Sequence, residues 1–180
     1  MKLASDRHNP RHAIMDHPAS FRYDHPRGPI YGWFSAAGLY RLMLPHAAGG
    51  AVRRTVLHSS ANDARVWALH AALENYFAGV RETFDAVPLD WDAATEFQRA
   101  VWRAAREVPW GASATYGDLA LRLNKPKSAA RAVGHALGQN PIAIVVPCHR
   151  FLGADGSLHG FAAGLEWKRE LLQIEGVLLH

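Results

Sequence analysis

The sequence predicts an α+β protein: a small N-terminal antiparallel sheet with one helix, then a mainly helical C-terminal domain with a helix-turn-helix. Three observations predict it. Short β-prone runs separated by small residues lie between Ile30 and Leu44. Helical apolar spacing, opened by capping residues, dominates from Thr95 onward. Between them runs Phe84 to Trp91, which contains Pro88 and shows no periodicity. The chain of 180 residues is 49% hydrophobic and 20% charged. That is enough for one sizeable domain or two small ones sharing a core, and too apolar for a disordered chain.

Residues 1–27 read as a poorly ordered tail, with Pro10, Pro18 and Pro26 and four irregularly spaced histidines, His8, His12, His17 and His25. Irregular spacing argues against metal capture there. Residues 28–91 read as the N-terminal α+β domain. Ile30–Phe34 and Gly38–Leu44 form a hairpin, and Val52–Leu57 is a candidate third strand. Arg65–Gly79 reads as a helix, because Val66, Leu69, Leu73, Tyr76 and Phe77 share a face and Gly79 is a stop signal.

Residues 92–180 form the C-terminal domain. Thr95 caps a helix that ends before Pro109-Trp-Gly111. Thr115, three residues before Asp118, opens a second one. Asn124-Lys-Pro-Lys127 is a turn, and Ser128 caps a helix over Ala129–Leu137 that ends at Gly138. Two short helices joined by a turn read as a helix-turn-helix, although many such hairpins have nothing to do with DNA. The continuous apolar run Ile142–Val146 predicts a buried strand that delivers Pro147-Cys148-His149-Arg150. A glycine-rich loop follows, and the last helix runs from about Leu165 to Glu175.

The net charge of +4 says little by itself, but its distribution does. Between Asp118 and Asp155 lie 36 residues without a carboxylate, holding Arg122, Lys125, Lys127, Arg131 and Arg150. Such a stretch suits a polyanion and favours the nucleic-acid reading of the helix-turn-helix. No run approaches the roughly 20 apolar residues of a membrane span. The first residues lack the apolar core of a secretory signal, so a cytoplasmic setting is expected.

Cys148 is the only cysteine, which excludes an intramolecular disulfide and thiolate-rich metal sites. A lone cysteine is buried filler, a ligand or a reactive thiol. Its position beside a histidine and an arginine favours the reactive reading, since neighbouring cations lower a thiol pKa. Neighbours on an extended chain point to opposite faces, so the backbone must turn if His149 is to serve Cys148.

These residues resemble the O6-alkylguanine-DNA alkyltransferase family, the methylated-DNA–protein-cysteine methyltransferases. The resemblance covers roughly residues 28–180 and is densest from 95. It is carried by Asn140-Pro-Ile-Ala-Ile-Val-Val-Pro-Cys-His-Arg150, with Phe97-Gln-Arg-Ala-Val-Trp102, Thr115-Tyr-Gly-Asp-Leu-Ala120, Ala129-Ala-Arg-Ala-Val-Gly134 and Leu171-Leu-Gln-Ile-Glu-Gly176. It implies an RNase H-like N-terminal sheet and a winged-helix-like C-terminal domain. It implies stoichiometric transfer of an alkyl group from O6-alkylguanine, and from O4-alkylthymine, in duplex DNA onto Cys148 after base flipping. His149 would be the base, Glu175 its orienting carboxylate, and Asn140 the holder of the turn before the cysteine. Arg131 would be the finger that fills the gap left by the flipped nucleotide, or else a plain phosphate contact. Tyr116 would rotate the 3′ phosphate. Ser128, Ala129, Ala130, Ala132, Gly134 and Arg150 would meet DNA, with the helix in the minor groove. Val146, Pro147, Phe151, Phe161, Ala162 and Ala163 would form the substrate pocket.

No cofactor and no metal are expected, because the zinc of some family members needs cysteines this chain lacks. A monomer is expected, with cooperative binding to double-stranded DNA left open. Two departures stand out. Phe161 replaces the family's usual tyrosine and cannot donate a hydrogen bond to the leaving base. Ala162 and Ala163 leave room for adducts larger than methyl. Two other functions compete. An alkyltransferase-like damage sensor would flip the base without removing the group, but such proteins lack the cysteine. A Cys–His hydrolase would leave the finger and the helix-turn-helix unused.

Overall fold

The structure, a computed structural model, describes residues 20–45 and 63–177. The candidate strand Val52–Leu57 and His8, His12 and His17 lie outside the described residues. A three-stranded antiparallel sheet is built from β1 (Phe21–Tyr23), β2 (Ile30–Phe34) and β3 (Leu39–Met43), in the order β1-β2-β3. Phe21 pairs with Gly32, and Trp33 with Arg41. The expected hairpin is therefore present, but the tail boundary needs correction. Residues 21–23 form an edge strand because Phe21 is an apolar anchor that packs into the core at 3% exposure. His25 is likewise ordered, its ring 4.4 Å from that of Phe77 and 5.0 Å from that of Trp167.

Helix α1 (Ala64–Phe77) opens on Asp63, whose carboxylate accepts from the Arg65 amide at 3.0 Å. It buries Leu69, Ala72, Leu73 and Tyr76, the inward stripe of a helix packed on a sheet. Gly79 follows at φ +74°, a left-handed position suited to glycine, and Val80 N–H closes the end on Asn75 O at 2.9 Å.

The C-terminal part contains α2 (Glu96–Arg106), β4 (Ala114–Thr115), α3 (Tyr116–Arg122), α4 (Ala130–Gly138), β5 (Phe151–Leu152) and α5 (Leu165–Ile174). Strands β4 and β5 pair in parallel. Two reciprocal capping boxes start α2 and α3: Thr95 with Gln98, and Thr115 with Asp118. Asn124 turns the chain after α3 at φ +55°. Ser128 does not cap the next helix. It sits inside a 3-10 turn, Lys127–Ala129, which itself leads into α4 without a side-chain cap. Trp102 Nε1 donates to Ala136 O at 2.9 Å and ties α2 to α4.

The two parts share one core and one seam. At one end of β3, Leu39 N–H donates to Pro88 O, and Asp90 N–H to Leu39 O. Gly38 is required there, because a Cβ would lie 2.4 Å from Pro88 O. At the other end, Leu42 N–H donates to Pro141 O, and Ala143 N–H to Leu42 O. The segment leading to Cys148 is thus hydrogen-bonded to the N-terminal sheet. Among the described residues, no helix is long and apolar enough to cross a membrane.

Candidate active site

Ile142–Val146 is buried but is not a strand. Its residues make tight turns: Val145 N–H donates to Ala143 O, and Val146 N–H to Ile142 O at 3.0 Å. An apolar run reports burial, and burial alone does not separate a strand from a packed loop. Ile144 sits at φ +68°, an uncommon and strained place for a β-branched residue. Asn140 holds the loop in that shape. Its Oδ1 accepts from Ile142 N–H at 2.9 Å, and its Nδ2 donates to Val146 O at 2.9 Å. The same Nδ2 lies 3.3 Å from Cys148 Sγ. One amide therefore fixes both the loop and the sulfur.

Cys148–Arg150 then form a 3-10 turn, the bend needed to bring His149 round to the same region as Cys148. Cys148 keeps partial exposure, whereas His149 has none. His149 Nε2 lies 2.7 Å from Glu175 Oε1, at the C-terminal end of α5. Arg150 Nε donates to Glu175 Oε2 at 2.7 Å, its Nη2 to Oε1 at 3.0 Å, and its Nη1 to Val108 O. Arg150 thus belongs to the buried carboxylate, not to the DNA face assigned to it from sequence. At 6% exposure its donors are already used inside the protein. The other four cations of the acid-free stretch, Arg122, Lys125, Lys127 and Arg131, are exposed.

The electrostatics follow from burial and pairing. Burial would push Glu175 up, but hydrogen bonds and charge from His149 and Arg150 outweigh it and hold the carboxyl at about 2. Burial lowers the pKa of His149, with Glu175 opposing, so the imidazole is held towards its neutral form. Since Nε2 faces a carboxylate oxygen at 2.7 Å, it carries the proton, and Nδ1 is the bare acceptor. Nδ1 is buried without a hydrogen-bond partner among the described residues. The Cys148 thiol is pushed up by burial, partly offset by Asn140 and Lys168. This corrects the expectation that adjacent cations lower it: Arg150 is neutralised by Glu175, and desolvation dominates. The resting sulfur is a thiol that needs a base at the moment of reaction.

Two site residues were not singled out from sequence. Lys168 is fully buried on the inward face of α5, and its Nζ donates to Phe151 O at 2.6 Å, His159 O at 3.0 Å and Tyr116 Oη at 3.4 Å. Burial lowers its pKa to about 8, the Cys148 charge opposing. A lysine sharing an apolar stripe with Trp167, Leu171 and Leu172 was the available signal. Tyr76 of α1 also reaches the site, its hydroxyl donating to Glu175 Oε1 at 2.7 Å.

Cys148 opens onto a cleft of about 510 Å³. Phe161, Ala162 and Ala163, expected in the pocket, line it, together with Tyr116 and Gly134, expected against DNA, and Asn140, expected to hold the turn. Val146, Pro147 and Phe151 do not. Val146 and Phe151 are fully buried in the core, and Pro147 faces a different cleft with Val108 and Trp110. Arg41, Leu42 and Met43 of β3, with Leu44 just after it, instead supply a wall, which the seam at Pro141–Ala143 brings into place. On α4, Arg131, Ala132 and the preceding Ser128 are exposed, while Ala129, Ala130 and Gly134 are half-buried. A Cβ on Gly134 would lie 3.5 Å from the Tyr116 ring, so the helix runs close over that tyrosine.

Fold and site together define a two-part α+β protein that presents a single thiol, backed by a buried His–carboxylate pair, beside a cationic helical face. A family model for the 6-O-methylguanine DNA methyltransferase DNA binding domain matches residues 96–177. The Haemophilus influenzae methylated-DNA–protein-cysteine methyltransferase is 55% identical over 106 residues, 59% of this chain and 58% of that protein. That of Methanosarcina acetivorans is 53% identical over 104 residues, 58% of this chain and 65% of that protein. The matched segment is thus under two thirds of the length of either relative. The crystal structure of Mycobacterium tuberculosis OGT in complex with DNA superposes with a TM-score of 0.70 at 38% identity, covering 87% of this chain and 92% of that one. The chain belongs to the O6-methylguanine-DNA methyltransferase family.

Proposed function

We propose that this protein repairs DNA by direct reversal, moving the alkyl group of O6-alkylguanine, and of O4-alkylthymine, in duplex DNA onto Cys148. The observation that carries the reading is the placement of Cys148 on an open cleft, backed by the buried His149–Glu175 pair. The sulfur attacks the alkyl carbon, an S–C bond forms, and the C–O6 bond breaks with its electron pair left on the base. The thiol proton passes to His149 Nδ1 through a water, Glu175 stabilises the imidazolium, and the departing guanine takes a proton from water, the balance being restored when His149 gives its proton back to solvent. The thioether stays on the protein, so each molecule acts once.

Stacked in a duplex, the O6 carbon is out of reach of in-line attack, so the nucleotide is extruded into the cleft. Arg131 fills the vacated space, Tyr116 turns the 3′ phosphate, and Ser128, Ala129, Ala130, Ala132 and Gly134 let α4 enter the minor groove. Arg122, Lys125 and Lys127 add phosphate contacts. Arg131→Ala is expected to slow reaction with methylated duplex about 10-fold or more, because unassisted extrusion costs a few kcal/mol. Reaction with free benzylguanine should barely change. Equal losses on the two substrates would refute the finger role.

Phe161 lines the cleft but offers no donor to the leaving base. Restoring a donor in Phe161→Tyr is expected to raise the single-turnover rate, by up to about 100-fold if protonation limits it. An unchanged rate would make the missing hydroxyl immaterial.

Intact mass of the protein after incubation with methylguanine duplex tests the function. Repair predicts a 1:1 gain of about 14 Da, because the thiolate keeps the methyl group. Tight damage binding with no gain would replace repair by damage sensing. Repeated turnover of an ester or peptide would point to a hydrolase.

A further inference from the structure

The relay behind Cys148 is built mostly from the C-terminal part, yet one of its contacts comes from the other half of the chain. Tyr76, on α1 of the N-terminal part, is fully buried, and its hydroxyl donates to Glu175 Oε1 at 2.7 Å. That is the same oxygen that His149 Nε2 faces at 2.7 Å. The Tyr76 hydroxyl oxygen also lies 3.3 Å from His149 Nε2. Tyrosine, carboxylate and imidazole therefore close a triangle, joining positions 73 and 99 residues apart in sequence.

The protons in this triangle are determined by its geometry. Glu175 accepts from Arg150 on both oxygens, so it is the anion of the group. The Nε2–H of His149 is directed at Glu175 Oε1 at 2.7 Å, and the Tyr76 oxygen, at 3.3 Å, is its more distant neighbour, so Tyr76 acts mainly through the bond it donates to Oε1. Ring packing holds the hydroxyl in place: the Tyr76 ring meets those of Trp110 at 5.1 Å, Phe77 at 5.5 Å and Phe84 at 5.9 Å. A buried tyrosine hydroxyl ordinarily needs one partner. This one is placed on the atom that decides how strongly an imidazolium is stabilised.

We propose that Tyr76 is a positioning residue of the alkyl-transfer site, which aligns the His149–Glu175 pair and moderates the pull of Glu175 on the imidazolium. The proposal rests on the function assigned above only in giving the relay its use; the geometry of the triangle stands apart from it. The N-terminal part is thereby a component of the active site, not only a scaffold for the DNA-binding half. A hydrogen bond donated to Oε1 withdraws part of the negative charge that would otherwise stabilise protonated His149. Removing it should leave the carboxylate more strongly anionic and raise the pKa of His149. The titratable and charged groups facing His149 are Cys148 and Arg150 on its own turn, Glu175 and Lys168 from α5 and the residue after it, and Tyr76 from α1. Tyr76→Phe changes only the last of these and keeps the ring contacts.

The test is the pH profile of Cys148 alkylation by iodoacetamide, which reads thiol activation without DNA, alongside 15N-imidazole NMR of His149. For Tyr76→Phe the acid limb and the His149 titration are expected to move together to higher pH, by about half a unit to one unit. A purely structural tyrosine would lower the unfolding temperature and leave both where they are. An unmoved limb in a folded Tyr76→Phe protein would overturn the proposal. If Tyr76→Phe proves unstable, 3-fluorotyrosine at position 76, which keeps the ring and is a stronger donor, should move the limb to lower pH, and an unmoved limb would also overturn the proposal. Failure of DNA repair by the unaltered protein would leave these shifts intact, so the two readings fail separately.

Discussion

Cys148→Ala is expected to take up no methyl group from methylated duplex DNA, while keeping its fold and its affinity for the lesion. No second cysteine exists to accept the group. The remaining relay residues, His149 and Glu175, are fully or almost fully buried and hydrogen-bonded, so neither offers an exposed nucleophile. The loss is therefore of chemistry and not of a contact. The change is also mild for the fold. Cys148 is half-buried, and Asn140 Nδ2, which lies 3.3 Å from its sulfur, keeps Val146 O as partner. A stability cost of about 1 kcal/mol is expected for so small a truncation. Intact mass reads the chemistry, and binding to a methylguanine duplex reads the fold. A methyl adduct on Cys148→Ala would show that the acceptor lies elsewhere.

Glu175→Gln is expected to damage both stability and reactivity. The carboxylate neutralises Arg150 and anchors His149 at 0% side-chain exposure. Removing its charge leaves a buried guanidinium without a counter-ion, a change that typically costs about 3–5 kcal/mol. It also removes the group that stabilises the imidazolium and specifies the Nε2–H tautomer, so alkyl transfer should fall by about 10²-fold or more. The pH dependence of stability offers an independent check. The folded-state value of about 2 lies below the ordinary 4.5, so Glu175 contributes stability that is present above about pH 4.5. That contribution, about 3 kcal/mol, is lost as the pH falls towards 2. The wild type should therefore lose more stability than Glu175→Gln between pH 5 and pH 2 in denaturant titrations. Parallel slopes would show that Glu175 is not held as a carboxylate by its partners.

Lys168 makes the site sensitive at the other end of the scale. Its pKa of about 8 places its deprotonation within reach of ordinary buffers. Its Nζ donates to the carbonyls of Phe151 and His159, on either side of the loop segment that holds Gly153 and Gly156. The ammonium thus braces that loop, and its charge favours the ionised form of Cys148.

The features legible in the sequence were those whose cause is local. Thr95 with Gln98 and Thr115 with Asp118 sit three residues apart, within reach of one another as soon as a helical turn forms. The inward stripe of α1 is a spacing, and Gly79 a backbone preference. The Cys148–His149 pair and the acid-free stretch could be read for the same reason. Where burial was read as conformation, the reading failed: Ile142–Val146 is buried but turns, because Asn140 bonds its backbone and strains Ile144. Ser128 looked like a cap because serine suits that role, but the 3-10 turn after Pro126 places it elsewhere.

By itself, the sequence determined the α+β class, the capped starts of α2 and α3 and the placing of the one cysteine beside a histidine, since these depend on side chains acting over one or two turns. Tertiary structure alone decided what surrounds that residue. Arg150 and Glu175 are 25 residues apart, and Tyr76 lies 99 from Glu175, so nothing local brings them together. Packing of α1 and α5 against the cysteine turn does. The same packing takes Arg150 off the surface, raises the Cys148 thiol by desolvation, and makes β3 a wall of the cleft. Desolvation and pairing depend on what is near in space, and that is why they had to be observed in the folded chain.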